Sequence, residues 1–220
     1  MKPRIALFME HPECSQQCVN GMVKSLHENY EIKIISTDFF TKENLKEIDI
    51  VAFPGGIGDA DSYYTFFKRR HGNIVADFID SGGYYLGICM GAYWTGSNYF
   101  DILKGIEPVQ YIKREDADIR RSYATVAKIN WENQEKDMFF YDGCAIIEQE
   151  NGLNQEYNTI ARYKNNDPMA IIQGNVGLIG CHPESQEFWY DGDYKYLKNY
   201  WHNGEHHKLL LDFLNKLVHN

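Results

Sequence analysis

Apolar positions in the first part of the chain come as short unbroken runs, separated by stretches with helical spacing. Ile5 to Met9 is one such run, the pattern of a strand buried on both faces. Ser15 to His27 then places Cys18, Met22, Val23 and Leu26 on one helical face. Ile32 to Ile35 reads as a second strand. Thr41 to Ile48 reads as a short helix with Thr41 as its N-cap. Asp49 to Phe53 is a third strand, stopped by Pro54-Gly55-Gly56. Asn73 to Asp80 is helical up to Ser81-Gly82-Gly83, and Tyr84 to Ile88 is a fourth strand running into Cys89. Strands alternating with helices at this pitch predict right-handed βαβ units and a parallel sheet.

The pattern changes in the second half. Tyr123 to Ile129, Met138 to Tyr141, Ala145 to Glu148, Thr159 to Tyr163, Ala170 to Gln173 and Leu178 to Cys181 all read as strands. Turn signals at Asp142-Gly143 and Gln173-Gly174-Asn175 make hairpins the expected connections. A closing helix is predicted from Glu205 to Val218, burying Leu209, Leu210, Phe213, Leu214 and Leu217. With no linker, repeat or low-complexity stretch, residues 1–220 read as one α/β domain.

Composition narrows the function classes. A formal net charge of −9 argues against a nucleic-acid surface. The basic groups Lys68-Arg69-Arg70, Lys113-Arg114 and Arg120-Arg121 read as solvated faces. No apolar stretch approaches a membrane span. The run after Met1-Lys2-Pro3-Arg4 is too short for a secretion signal and ends in Glu10-His11-Pro12 without a small-residue cleavage site. Five cysteines, an odd count without framework spacing, suggest reduced thiols in a cytoplasmic setting.

The chemistry concentrates in three places. Gly87-Ile88-Cys89-Met90-Gly91 puts a cysteine where a buried strand turns into a helix, the arrangement of a nucleophile elbow. A small buried cysteine under a glycine turn is the plain alternative. Pro54-Gly55-Gly56 also follows a strand, so its backbone donors belong on the same sheet edge. The Gly56 and Met90 amides could then form an oxyanion hole. Cys181-His182-Pro183-Glu184 supplies a base and a carboxylate two residues apart in extended chain, on one side of it. A second His-Pro-Glu at His11 to Glu13 leads straight into a helix. There, proline and acid are ordinary start signals, so His182 rather than His11 is expected beside Cys89.

These segments, Phe53 to Gly56, Gly82 to Tyr93 and Gly180 to Glu184, resemble the class I glutamine amidotransferase-like superfamily. Within it they are similar to the branch called the biotin–protein ligase N-terminal domain, as are Ala161-Arg162-Tyr163 and Pro168 to Ile171. The resemblance spans about Ile5 to Glu184. It implies a flavodoxin-like three-layer α/β/α sandwich with a mostly parallel sheet and hairpins added in the second half. It also implies Cys89 as nucleophile, His182 as base and Glu184 as the acid that orients it. Gly180-Cys181 stands where the amidotransferases proper carry Gln-Phe, so glutamine as substrate does not follow. No Gly-Arg-Gly-Arg-type adenylate loop is present, so the expectation is a free-standing accessory fold and not a ligase.

The expected activity is cysteine-dependent hydrolysis or amidotransferase-like chemistry on a small amide, without cofactor or metal. A non-catalytic binding or regulatory module with a protein partner, or a redox sensor in which Cys181 resolves an oxidised Cys89, remains the alternative. Gly55, Asp59, Asp61, Tyr63 and Tyr93 are candidates for the pocket. The aromatics from Trp189 to Trp201 are candidates for a lid or contact surface. Cys14 and Cys18 with His11, and His202, His206 and His207, have spacings that could hold a metal, but core packing is the simpler reading.

Overall fold

The structure, a computed structural model, describes residues 2–10, 14–56, 63–68, 73–149, 156–192 and 194–219. Strands β1 (Arg4–Phe8), β2 (Glu31–Ile35), β3 (Ile50–Phe53) and β4 (Tyr84–Ile88) fall where the apolar runs place them. Helices α1 (Gln16–Leu26), α2 (Lys42–Leu45) and α3 (Ile74–Asp80) lie between them, and the single turn α4 (Met90–Tyr93) follows β4. The Ser15 hydroxyl caps α1 by accepting from the Cys18 amide, and the Thr41 hydroxyl caps α2 through the Asn44 amide. α2 stops after four residues, well before Ile48.

The second half adds β5 (Ile106–Gln110), β6 (Thr125–Trp131), β7 (Gln134–Phe140), β8 (Cys144–Glu148), β9 (Asn158–Tyr163), β10 (Pro168–Gln173) and β11 (Val176–Ile179). The chain's last long element is α5 (Glu205–Val218). Nine strands form one sheet in the order β2-β1-β3-β4-β11-β10-β9-β6-β7, while β5 and β8 pair separately. From β2 to β11 neighbours run parallel; from β11 to β7 they run antiparallel. The parallel half is built from βαβ units and the rest from hairpins.

Alternation along the strands divides the core into two layers. Ile5, Leu7, Ile50, Ala52, Leu86 and Ile88 face Val19, Met22 and Leu26 of α1 and Leu210, Phe213 and Leu217 of α5. Ala6, Phe8, Val51, Phe53 and Tyr85 face the opposite layer, filled by Phe40, Phe67, Phe78, Trp94 and Phe100. Apolar cover on both faces gives the three-layer α/β/α sandwich. It also explains why these strands read as solid apolar runs and not as alternations.

Close backbone contacts make certain glycines obligatory. A Cβ on Gly180 would lie 2.1 Å from the Cys144 carbonyl oxygen and 2.7 Å from the Tyr163 hydroxyl, whereas one on Gly192 would meet nothing nearer than 4.0 Å. We expect Gly180→Ala to destabilise the fold by at least about 2 kcal/mol, because overpacking against backbone has no rotamer escape. Gly192→Ala should leave stability within about 0.5 kcal/mol of the original. Urea unfolding of the two variants checks the contrast.

Candidate active site

Because β3, β4 and β11 are parallel neighbours, their carboxyl ends open at one place on the sheet. Each end carries one of the segments singled out above: Gly55-Gly56 after β3, Cys89 after β4 and His182 after β11. Backbone bonds fix the three ends together. The Cys89 amide donates to the Ile179 carbonyl at 2.9 Å, the Gly91 amide to Pro54 at 3.2 Å, and the His182 amide to Phe139 at 2.9 Å.

Cys89 takes φ 49° and ψ −103°, a positive φ that a side-chain-bearing residue rarely adopts. Such a residue costs on the order of 1–3 kcal/mol and persists only where its surroundings hold it. Here the Ile179 bond holds its amide, and the Ala92 and Tyr93 amides hold its carbonyl at 2.9 and 3.0 Å. Gly87 and Gly91 are required by packing. A Cβ on Gly87 would strike the Gly91 carbonyl at 2.5 Å, and one on Gly91 would strike the Phe53 carbonyl at 2.2 Å. The elbow is therefore pressed against β3 and β4. Its helix is only one turn long, so it brings little macrodipole to the thiol.

His182 and Glu184 are buried behind the elbow, with His182 Nδ1 and Glu184 Oε1 2.9 Å apart. Burial pulls the imidazole's pKa down, but the Glu184 carboxylate and the Cys89 sulfur outweigh it, and the ring stays charged well above its ordinary range. Cys89 is also a side-chain hydrogen-bond neighbour of this ring. In the structure the Cys89 thiol donates to the Tyr141 carbonyl at 3.6 Å. Cys89, His182 and Gly56 line one cleft of about 820 Å³ with Ser15, Gln16, Gln17 and Cys18. Phe139, Tyr141, Phe188 and Trp189 form its apolar side.

The remaining sequence candidates separate. Met90 is buried directly after the nucleophile at the start of α4. Gly55 touches the site by having no side chain: a Cβ there would lie 2.7 Å from His182 Cε1 and 2.8 Å from Cys18 Sγ. Tyr63, expected in the pocket, is instead a core residue, ringed by Phe67, Trp94, Tyr99 and Phe100, with its hydroxyl pKa pushed up to about 12 by burial. Tyr93 sits behind Cys89, largely out of the cleft, and donates to the Asp142 carbonyl at 3.1 Å. His11, Asp59 and Asp61 lie outside the described residues. Cys181 points into the core, where its thiol meets the Tyr163 hydroxyl at 3.6 Å and burial pushes its pKa up to about 12.

Three contacts escaped the sequence reading. Cys18 Sγ approaches His182 Nδ1 to 4.0 Å, and burial pushes that thiol's pKa up. Gly21 of α1 lies under Glu184, where a Cβ would come within 2.3 Å of its carbonyl oxygen. Trp189 stands edge-on to the His182 ring at 5.7 Å. A glycine in mid-helix and a cysteine just after the first βα turn are weak signals of close approach to a sheet edge. They become readable only once β1's position beside β3 is known. Among the described residues, Cys18, His182 and Glu184 form the one group with metal-ligand spacing. His202 and His206 instead stack at 3.9 Å.

The architecture also matches known proteins. A glutamine amidotransferase from Thermotoga maritima superposes with a TM-score of 0.67 at 13% identity, each chain fully covered. A second glutamine amidotransferase does so with a TM-score of 0.63 at 16% identity, covering 97% of this chain and 98% of its own. This is the class I glutamine amidotransferase-like fold. Residues 10–105 of this chain match the family model described as "Biotin-protein ligase, N terminal". A biotin–protein ligase of Schizosaccharomyces pombe (strain 972 / ATCC 24843) is 28% identical over 167 residues, covering 61% of this chain. The chain spans about a quarter of that relative's length. The family match includes Gly56 and Cys89 and stops short of His182.

Two outcomes are expected. Gly55→Ala should displace the imidazole, changing the His182 ring resonances in NMR and lowering stability by about 1–3 kcal/mol. Behind the site, burial lowers the pKa of His202 to about 4 and of His206 to about 3. Both are neutral in the fold and take up protons more readily when unfolded. Their burial contributes full stability above the unfolded value near 6.5 and loses it as pH falls toward about 4. Denaturant midpoints should therefore drop across that window, and less steeply in His206→Phe, which keeps a ring against His202.

Proposed function

We propose that the chain is a cysteine-dependent amide hydrolase of the amidotransferase-like kind, acting on a small amide. The observation that carries this is the convergence of Cys89, His182 and Glu184 at one sheet edge, with the nucleophile held at positive φ. In this reading Cys89 reacts as the thiolate, its proton held on His182: the sulfur attacks the amide carbon, and the Gly56 and Met90 amides face the oxyanion. The charged imidazole then protonates the leaving nitrogen as the C–N bond breaks, leaving a thioester and neutral His182. His182 next takes a proton from water, whose oxygen displaces the sulfur and releases the acid. Glu184 holds the tautomer and offsets the imidazolium charge.

The cleft bears on the substrate class. Among its described lining residues none is Lys, Arg, Asp or Glu. Among those described residues only His182 bears charge, and the four aromatics favour a neutral, apolar acyl group. A second reading, a binding module without turnover, is favoured by one contact: the Cys89 thiol is directed to the Tyr141 carbonyl. The redox reading has no such support, because Cys181 faces Tyr163.

Limiting iodoacetamide at neutral pH, with peptide mapping, separates the two main readings. Cys89 is expected to be alkylated first, ahead of Cys18, Cys144 and Cys181, whose pKa values burial raises. Incubation with pooled neutral amides should then leave an acyl mass on wild type and none on Cys89→Ala, with ammonia release from glutamine weak or absent. Equal labelling of another thiol, with no adduct from any amide, would favour the binding module.

A further inference from the structure

We propose that Cys18, His182 and Glu184 form a site for a thiophilic divalent cation of the Zn²⁺ class, and that its occupation withdraws His182 from the triad. The three ligand atoms lie within 4.8 Å of one another and come from residues that are all buried. Tetrahedral zinc with sulfur at about 2.3 Å and nitrogen or oxygen at about 2.0–2.2 Å sets its ligand atoms about 3.3–3.6 Å apart. The observed separations, 2.9 Å from His182 Nδ1 to Glu184 Oε1 and 4.0 Å from Nδ1 to Cys18 Sγ, bracket that range.

Two further observations point to a ligand at this place. Glu184 Oε2 is buried without a hydrogen-bond partner among the described residues. An unpartnered carboxylate oxygen in a dry site calls for a proton, a water or a cation. Gly55 leaves no side chain between thiol and imidazole, since a Cβ there would overlap both. Cys18 and His182 also line the cleft, which gives the ion an entry path and leaves its fourth position to water.

The metal takes the Cys18 sulfur in place of its S–H proton and His182 Nδ1 in place of the proton it shares with Glu184 Oε1, and the displaced protons pass to solvent. The bond from Nδ1 to Glu184 is replaced by a bond to the metal, so the imidazole can no longer cycle as the base. That last consequence rests on the hydrolase reading; the binding does not.

Zn²⁺ titration against a competing chelator, native mass spectrometry and Co²⁺ absorption test the site without any substrate. Wild type and Cys89→Ala should each bind one equivalent, show a thiolate-to-cobalt charge-transfer band, and release protons on binding in weakly buffered solution near neutral pH. Cys18→Ser, which keeps the side chain's shape, should lose the band and weaken binding by more than the roughly 10–100-fold that loss of an outer-shell partner costs. Thermal melts show that the variants are folded. Absence of a bound equivalent, or binding that survives Cys18→Ser and is lost in Cys89→Ala, overturns the proposal. In the latter case the ion sits on the nucleophile.

Discussion

The hydrogen bond from the Cys89 amide to the Ile179 carbonyl joins the strand that ends at Cys89 to the strand that leads to His182. Everything at the site depends on that parallel register. Ile88 pairs with Ile179, so Cys89 follows that pair by one residue on β4 and His182 by three on the chain leaving β11, both past the same sheet edge. A slip of one residue would turn the buried side chains of β11 to the other face and carry the imidazole away with them. The same bond helps hold Cys89 at a backbone conformation it would abandon in a free chain. Register, strain and chemistry are one constraint here.

Much of the fold was legible because burial on both faces writes continuous apolar runs. β1, β3 and β4 stood out for that reason, and α5 for its helical spacing. β5 was not legible: Ile106-Glu107-Pro108-Val109-Gln110 carries a charge and a proline and pairs only with β8, apart from the main sheet. The β6–β7 hairpin extends further than its pattern suggested. Its turn, Glu132-Asn133, takes φ 47° and 68° without a glycine to announce it. β6 and β7 also carry Lys128, Lys136 and Asp137, so exposure hid their length. Of the site, Cys89, His182 and the glycines were readable from local chain geometry. Tyr63 was misplaced because an aromatic beside a loop looks the same in sequence whether it faces solvent or a cluster of rings.

Polar wiring continues behind His182 and Glu184. Ser185, next to Glu184, shares hydrogen bonds with the Tyr190 hydroxyl at 3.0 Å and His202 Nε2 at 3.3 Å. His207 Nε2 donates to the Ser185 carbonyl at 2.8 Å. These partners satisfy a buried segment that would otherwise expose polar backbone to an apolar interior. They also give the histidines clustered at the start of α5 a structural role. They hold the chain that carries the acid.

Glu184 is thus gripped from two sides. The backbone of α1 at Gly21 supports its carbonyl, and the first turn of α5 holds the residue after it. α1 and α5 pack on one another through the apolar layer that holds Met22, Leu26, Leu210 and Phe213. Because a close-packed interior transmits displacement instead of absorbing it, this helix pair acts as a mechanical mount for the carboxylate. Side-chain volume in that hydrophobic layer thereby bears on where Glu184 stands beside the imidazole.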